Sequence, residues 1–153
     1  MSPFETVTTG NGSQQGILDP VQPADEGIVP RVLVQNAFAV MQYIAKDIPH
    51  HLFGVEKQEW IANKLESQDD RAIQVLRMFY ESILRRMRAI EASDIDVGSH
   101  GTNGQIWMRV HGDKKPQQDL PHLPSPLCDV LIHGIVTPKQ RAALCNNRSL
   151  DFS

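Results

Sequence analysis

Cysteine is almost missing from this 153-residue chain, and so are long apolar runs. Cys128 and Cys145 are too few for a disulfide framework, and no other cysteine gives them zinc-ligand spacing, so they read as reduced thiols. No apolar stretch approaches the roughly 20 residues a membrane-spanning helix needs. The N-terminus has no basic region followed by an apolar run, so no signal peptide is expected. Charge of either sign is also scarce in the balance: the net value of −3 argues against a dedicated polyanion binder. These absences together predict a soluble cytoplasmic protein. What is present is apolar residues at 41% of the chain, enough for one modest domain or a small domain with an extension.

The chain divides by pattern. Residues 1–30 are rich in Ser, Thr, Gly, Gln and Pro and bury too little to offset their ordering entropy, so they read as a disordered tail or linker. From Pro30 onward, Val34, Ala37, Phe38, Met41, Ile44, Ala45 and Ile48 recur at three- and four-residue steps, predicting a helix that Pro49 ends. A second helix is expected over about Lys57 to Leu65, with Trp60, Ile61 and Leu65 buried. A third starts near Gln68-Asp69-Asp70, where acids suit the positive helix end. It buries Ile73, Leu76, Tyr80, Ile83, Leu84, Met87 and Ile90, and places Arg77, Arg85, Arg86 and Arg88 on its other side. Residues 31–90 thus read as an antiparallel helical subdomain.

From residue 91 the period changes. Ile95-Asp96-Val97 and Ile106 to Val110 are β-prone, separated by a turn containing Gly98, Gly101 and Gly104. Ile106, Met108 and Val110 point one way, and Trp107, Arg109 and His111 the other. Lys114-Lys115-Pro116 reads as a returning strand or a loop. Ser125-Pro126 supplies an N-cap and a proline for a helix carrying Leu127, Val130 and Leu131. Thr137 and Gln140 form a capping box for the next helix, again with proline at its first position. Leu150-Asp151-Phe152 resembles the opening of a strand, so the chain reads as truncated after Ser153. The expected class is α+β: a helical subdomain, then a small antiparallel sheet with two helices.

Chemistry-bearing residues are scattered. Gly98 to Gly104 lacks the Lys-Ser/Thr and following helix of a phosphate loop and reads as a hairpin turn. Among the six histidines, His50, His51, His100, His111, His122 and His133, none forms a zinc-protease pair, and they read as surface or loop residues. Asp94 and Asp96 share a strand face and suit either a cation or an acid/base couple. The blander reading has Asp94 anchoring the turn into the strand and Asp96 in solvent. Arg77, Arg85, Arg86 and Arg88, with Arg109 on the strand, form the candidate interaction set. No aromatic platform or DNA-binding motif accompanies them, so a solvated basic helix face or a protein contact surface is favoured over nucleic acid. No catalytic, cofactor-binding or metal-binding residue is expected.

Taken in order, Ala92-Ser93-Asp94-Ile95, the glycine turn, Ile106-Trp107-Met108-Arg109-Val110-His111-Gly112, Thr137-Pro138-Lys139-Gln140-Arg141 and Leu150-Asp151-Phe152-Ser153 resemble the N-terminal domain of the secretion-superfamily ATPases. These are the motors of type IV pilus retraction, type II and type IV secretion, and conjugation. The resemblance covers about residues 90–153. The family commonly has His at the position of Asp96, and residues 31–90 form a longer helical extension than the compact retraction motors carry. The resemblance implies a partial PAS-like module at 91–153 and a non-catalytic role in assembly or regulation. It further implies a hexamer when full length, and a cytoplasmic location held at the inner membrane through partners. ATP and Mg are implied only for an ATPase domain beyond Ser153. The reading from a different class is a stand-alone helical adaptor that binds an acidic protein or nucleic acid through its basic helix face.

Overall fold

Ala37, Met41 and Ile44 fall on one side of a 3.6-residue repeat, and all three are fully buried in the first helix. The protein is described here by a computed structural model covering residues 27–147. Residues 1–26 of the tail expected over 1–30, and the strand expected at Leu150-Asp151-Phe152, lie outside the described residues. Among the described residues the class is α+β, with five α-helices and one three-stranded antiparallel sheet. The helices are α1 (Arg31–Ala45), α2 (Gly54–Glu66), α3 (Asp70–Ala89), α4 (Ser125–Ile135) and α5 (Pro138–Asn147). The strands are β1 (Ala92–Asp96), β2 (Trp107–Val110) and β3 (Asp113–Pro116), in that order across the sheet.

Local chemistry accounts for most boundaries. Asp69 caps α3 by accepting a hydrogen bond from the Ala72 amide at 2.9 Å. Thr137 and Gln140 form the reciprocal box at the start of α5, each side chain accepting from the other's amide. Several boundaries differ from expectation, and α1 ends at Ala45, ahead of the Pro49 expected to stop it. Helix α2 begins at Gly54, a turn before Lys57. Ser125 is the first residue of α4 rather than its cap, because the cap position is taken by Pro124, which has no side-chain oxygen to offer.

The connection between β2 and β3 is a tight two-residue turn. His111 and Gly112 both have positive φ, at 50° and 87°, the twist a two-residue hairpin requires between β2 and β3. The Lys114-Lys115-Pro116 segment, left open between strand and loop, is strand β3, with Lys115 opposite Met108 and Pro116 opposite Trp107. Lysine and proline on this edge discourage pairing with another sheet. Strand β1 pairs with β2 through a register shift between Ala92 and Asp94. Ile106 and Met108 are buried beneath the sheet.

Helix α4 packs on α1, α2 and α3 at once. Its Leu127, Cys128, Val130, Leu131, His133 and Gly134 are all buried, so it lies inside the helical layer rather than beside it. One hydrophobic cluster runs from Ala37 and Met41 through Leu76 and Phe79 to Met108 and Val130. The core therefore crosses the boundary expected near residue 90. Phe79, which the sequence pattern did not single out, is fully buried and meets Phe38 edge-on at 6.0 Å. Leu84, expected in the core, is instead 42% exposed.

Gly134 permits the closest approach of α4 to α3. A Cβ there would lie 2.5 Å from Leu76 Cδ1 and 3.3 Å from Leu76 Cβ, and Leu76 is fully buried with nowhere to retreat. Gly134→Ala is expected to destabilise the fold by about 1–2 kcal/mol through overpacking, despite alanine's better helix propensity. In a Leu76→Ala background the same change becomes neutral or stabilising. Denaturant titration of the four chains measures this coupling.

Candidate functional site

The long third helix sorts its arginines by position. Arg77, Arg85 and Arg88 are exposed along α3, together with Met78 and Leu84, and Glu81 stands among them. Spacings of three and four residues put Arg77, Glu81, Leu84 and Arg88 in one stripe. This face mixes positive charge with apolar side chains.

Arg86 does not belong to that face. Its side chain is only 14% exposed, and it grips the loop after β3. Nη1 and Nη2 donate to the two carboxylate oxygens of Asp119 at 2.6 and 2.7 Å, Nε and Nη2 to Gln117 Oε1 at 3.1 and 2.9 Å, and Nη1 to the Gly27 carbonyl at 3.1 Å. Two chain segments, at Gly27 and at the Gln117–Asp119 loop, converge on one planar fork, a geometry lysine cannot reproduce. Arg86 therefore leaves the interaction set as a structural clamp. Arg109 is also engaged: its Nε donates to Asp94 Oδ2 at 3.2 Å and its Nη1 to the Gly112 carbonyl at 3.0 Å. It remains 43% exposed.

The paired carboxylates are each matched with a cation across the sheet. Asp94 bonds Arg109, and Asp96 forms an ion pair with Lys114. Neither is an unpaired base, and Asp96 is not simply a solvent-facing strand residue. The glycine-rich segment is a turn containing one 3-10 stretch, His100–Thr102, and its Thr102 carbonyl accepts from Trp107 Nε1 at 3.2 Å. Gly98 has φ +75°, and a Cβ there would sit 2.7 Å from Cys128 Sγ, so glycine is needed both for the backbone and for its seat on α4. Burial, with Asp129 nearby, pushes the Cys128 thiol up to about 11, so it is poorly nucleophilic. Cys145 is likewise raised, chiefly by burial.

Five histidines, His50, His51, His100, His111 and His122, are exposed in connectors and turns. His133 is the exception to the surface reading. It is fully buried on α4, with Nε2 2.6 Å from Gln58 Oε1 and Nδ1 without a hydrogen-bond partner. With Nε2 protonated, the ring donates to Gln58 as a neutral imidazole. Burial, then the nearby Arg141 charge, lowers its pKa to about 4. Arg141 is itself buried and donates from Nε to the His133 carbonyl at 2.8 Å, closing the end of α4. Sequence reasoning missed this pair, although a histidine within the apolar run of α4 was the available signal.

Two outcomes are expected from these contacts. Arg86→Lys should cost about 1–2 kcal/mol, a value held down by the exposure of Asp119, and is read by thermal unfolding. An unfolded His133 takes up a proton near pH 6.5, whereas the folded one resists protonation to about pH 4. Stability is thus fully present above pH 6.5 and falls between there and pH 4, by about 3 kcal/mol in total. His133→Gln, compared at pH 7 and pH 5, should show a flatter profile than the parent. Among known proteins, no family model, no curated protein and no solved structure matches this chain.

Proposed function

We propose that this chain is a non-catalytic docking module, the N-terminal assembly and regulatory part of a type IV pilus or type II/IV secretion motor ATPase. The observation that carries the reading is how the residues behind the resemblance bond to one another. Asp94 of the Ala-Ser-Asp-Ile segment pairs with Arg109 of the Arg-Val-His-Gly segment, and Arg109 also holds the carbonyl of Gly112 in that segment. Thr137 and Gln140 cap the helix whose Arg141 closes α4. These residues stabilise a scaffold and leave no reacting group among themselves, as a module for positioning other domains requires.

In this reading residues 91–153 supply a partial PAS-like unit and residues 31–90 extend it, with β1 packed on α3 of that extension. The exposed arginines of α3, with Met78 and Leu84, are the contact surface. Docking that differs between nucleotide states of an attached motor domain would couple the module to the ATP cycle. ATP and Mg would belong to that motor domain, and its hexameric ring would set the stoichiometry. The exposed basic face of α3 also favours a second reading, a stand-alone adaptor for an acidic protein or nucleic acid.

Purified chain is expected to show ATP turnover at the buffer level, and turnover that follows the protein through purification overturns the non-catalytic role. The motor assignment is tested by reading the gene past the Ser153 codon. An in-frame Gly-x-x-x-x-Gly-Lys-Ser/Thr loop is expected, and an immediate stop codon sinks it for this protein. Salt-sensitive DNA binding that is lost in Arg77→Ala, Arg85→Ala and Arg88→Ala together favours the adaptor instead.

A further inference from the structure

Arg141 has more hydrogen-bonding capacity than its scaffold role uses. A guanidinium carries five N–H donors, and here only Nε is well satisfied, by the His133 carbonyl at 2.8 Å. Nη2 reaches the Val136 carbonyl at a marginal 3.5 Å. Nη1 makes no hydrogen bond among the described residues; Glu66 Oε1 stands 3.6 Å away, an ion-pair distance but too long for a bond. The Arg141 side chain is only 5% exposed, whereas that of Glu66 is 53% exposed. One partner is fixed in the core and the other is half in solvent.

This incompletely used guanidinium lines a cleft of about 540 Å³ between the end of α2, the first turns of α3 and the start of α5. That volume falls within the range of small-molecule sites. Leu65, Ile73 and Pro138 give the cleft apolar lining, while Gln68 and Gln74 bring amides and Arg77 a second guanidinium. Glu66 and Asp70 line it too, so with Glu66 in place its fixed charges cancel. When Glu66 swings into solvent, one positive charge is left uncompensated beside N–H donors that no protein acceptor holds at bonding distance.

We infer that this cleft is a binding site for a small carboxylate ligand, which displaces Glu66 and takes a charge-assisted hydrogen bond from Arg141 Nη1 with support from Arg77. Glu66 acts as an internal stand-in for the ligand. Its carboxylate has the right charge and approximate place, but its helix-end tether keeps it at ion-pair distance. A free carboxylate is not so tethered and can approach to the 2.7–2.9 Å or so of a charge-assisted bond. The apolar lining suits a short aliphatic body, and Gln68 and Gln74 suit a second polar group. The cleft shares Arg77 with the exposed face of α3, but Arg141 and Glu66, the charge pair the ligand would separate, lie outside that face.

The test is an NMR titration of the full chain with glutarate, whose propionate arm matches the Glu66 side chain, and separately with inorganic phosphate. Glutarate is expected to shift the Arg141 Nε–Hε signal and the Gln74 side-chain amide saturably. Glu66→Gln should tighten glutarate binding about tenfold by removing the competitor, and Arg77→Ala should weaken it about tenfold by removing a charge-assisted contact. Both changes are at exposed side chains, so the fold persists, whereas replacing Arg141 would release the end of α4. Shifts that do not saturate, or that are the same in the parent and both variants, overturn the inference as nonspecific ionic effects. Saturable binding of phosphate tighter than that of glutarate overturns the carboxylate assignment.

Discussion

Burial of α4 among the other helices is the interaction on which the rest of the molecule depends. Helices α1, α2 and α3 present apolar faces that meet on this one short segment, and burial of apolar area is the main favourable term in folding. The approach is close because Gly134 leaves room for Leu76. It also carries a burden, since α4 brings a histidine into the core and exposes a helix end to be satisfied there. Gln58 answers the first and Arg141 the second. Polar contacts around α4 therefore follow from its packing, and each restricts the position of a neighbouring helix.

The sheet is held to the helices in a different way. Its inner face contributes Ile106 and Met108 to the common core, while its outer face is laced by the pairs Asp94–Arg109 and Asp96–Lys114. Exposed pairs of this kind add little energy individually. Their value lies in register, because like charges opposite one another would disfavour the slipped pairings available to so short a sheet. Arg86 adds the remaining tie, from the middle of the helical layer to the loop that leaves β3. The candidate contact face of α3 is what is left once these structural uses of charge are subtracted.

The sequence made legible what is local. The face of α1, the Asp69 cap and the Thr137–Gln140 box all rest on residues within a few positions of each other, where periodicity and capping rules apply directly. It was less informative where partners are distant in the chain. Arg86 looked like one of four equivalent surface arginines because Gln117 and Asp119 lie more than thirty positions away. His133 was grouped with the surface or loop histidines because its partner Gln58 is 75 residues distant. Leu84 and Phe79 exchanged roles because they flank the apolar stripe on opposite sides, about 140° apart around the helix, and the packing of α1 turns the Phe79 side inward. The pairing of Asp94 with Arg109, by contrast, joins two segments that had already been singled out for their resemblance.

The place of α4 in the chain has a consequence for biosynthesis. A ribosome releases α1, α2 and α3 first, then the whole of the sheet, and only afterwards the helix that fills their shared groove. During that interval Leu76, Phe79 and Met41 have their helices but not their lid, so the nascent chain displays a contiguous apolar surface. Closing the core requires bringing a late segment back to the earliest one, which delays folding relative to a bundle built from neighbours. In a growing chain that surface stays uncovered until α4 has cleared the exit tunnel.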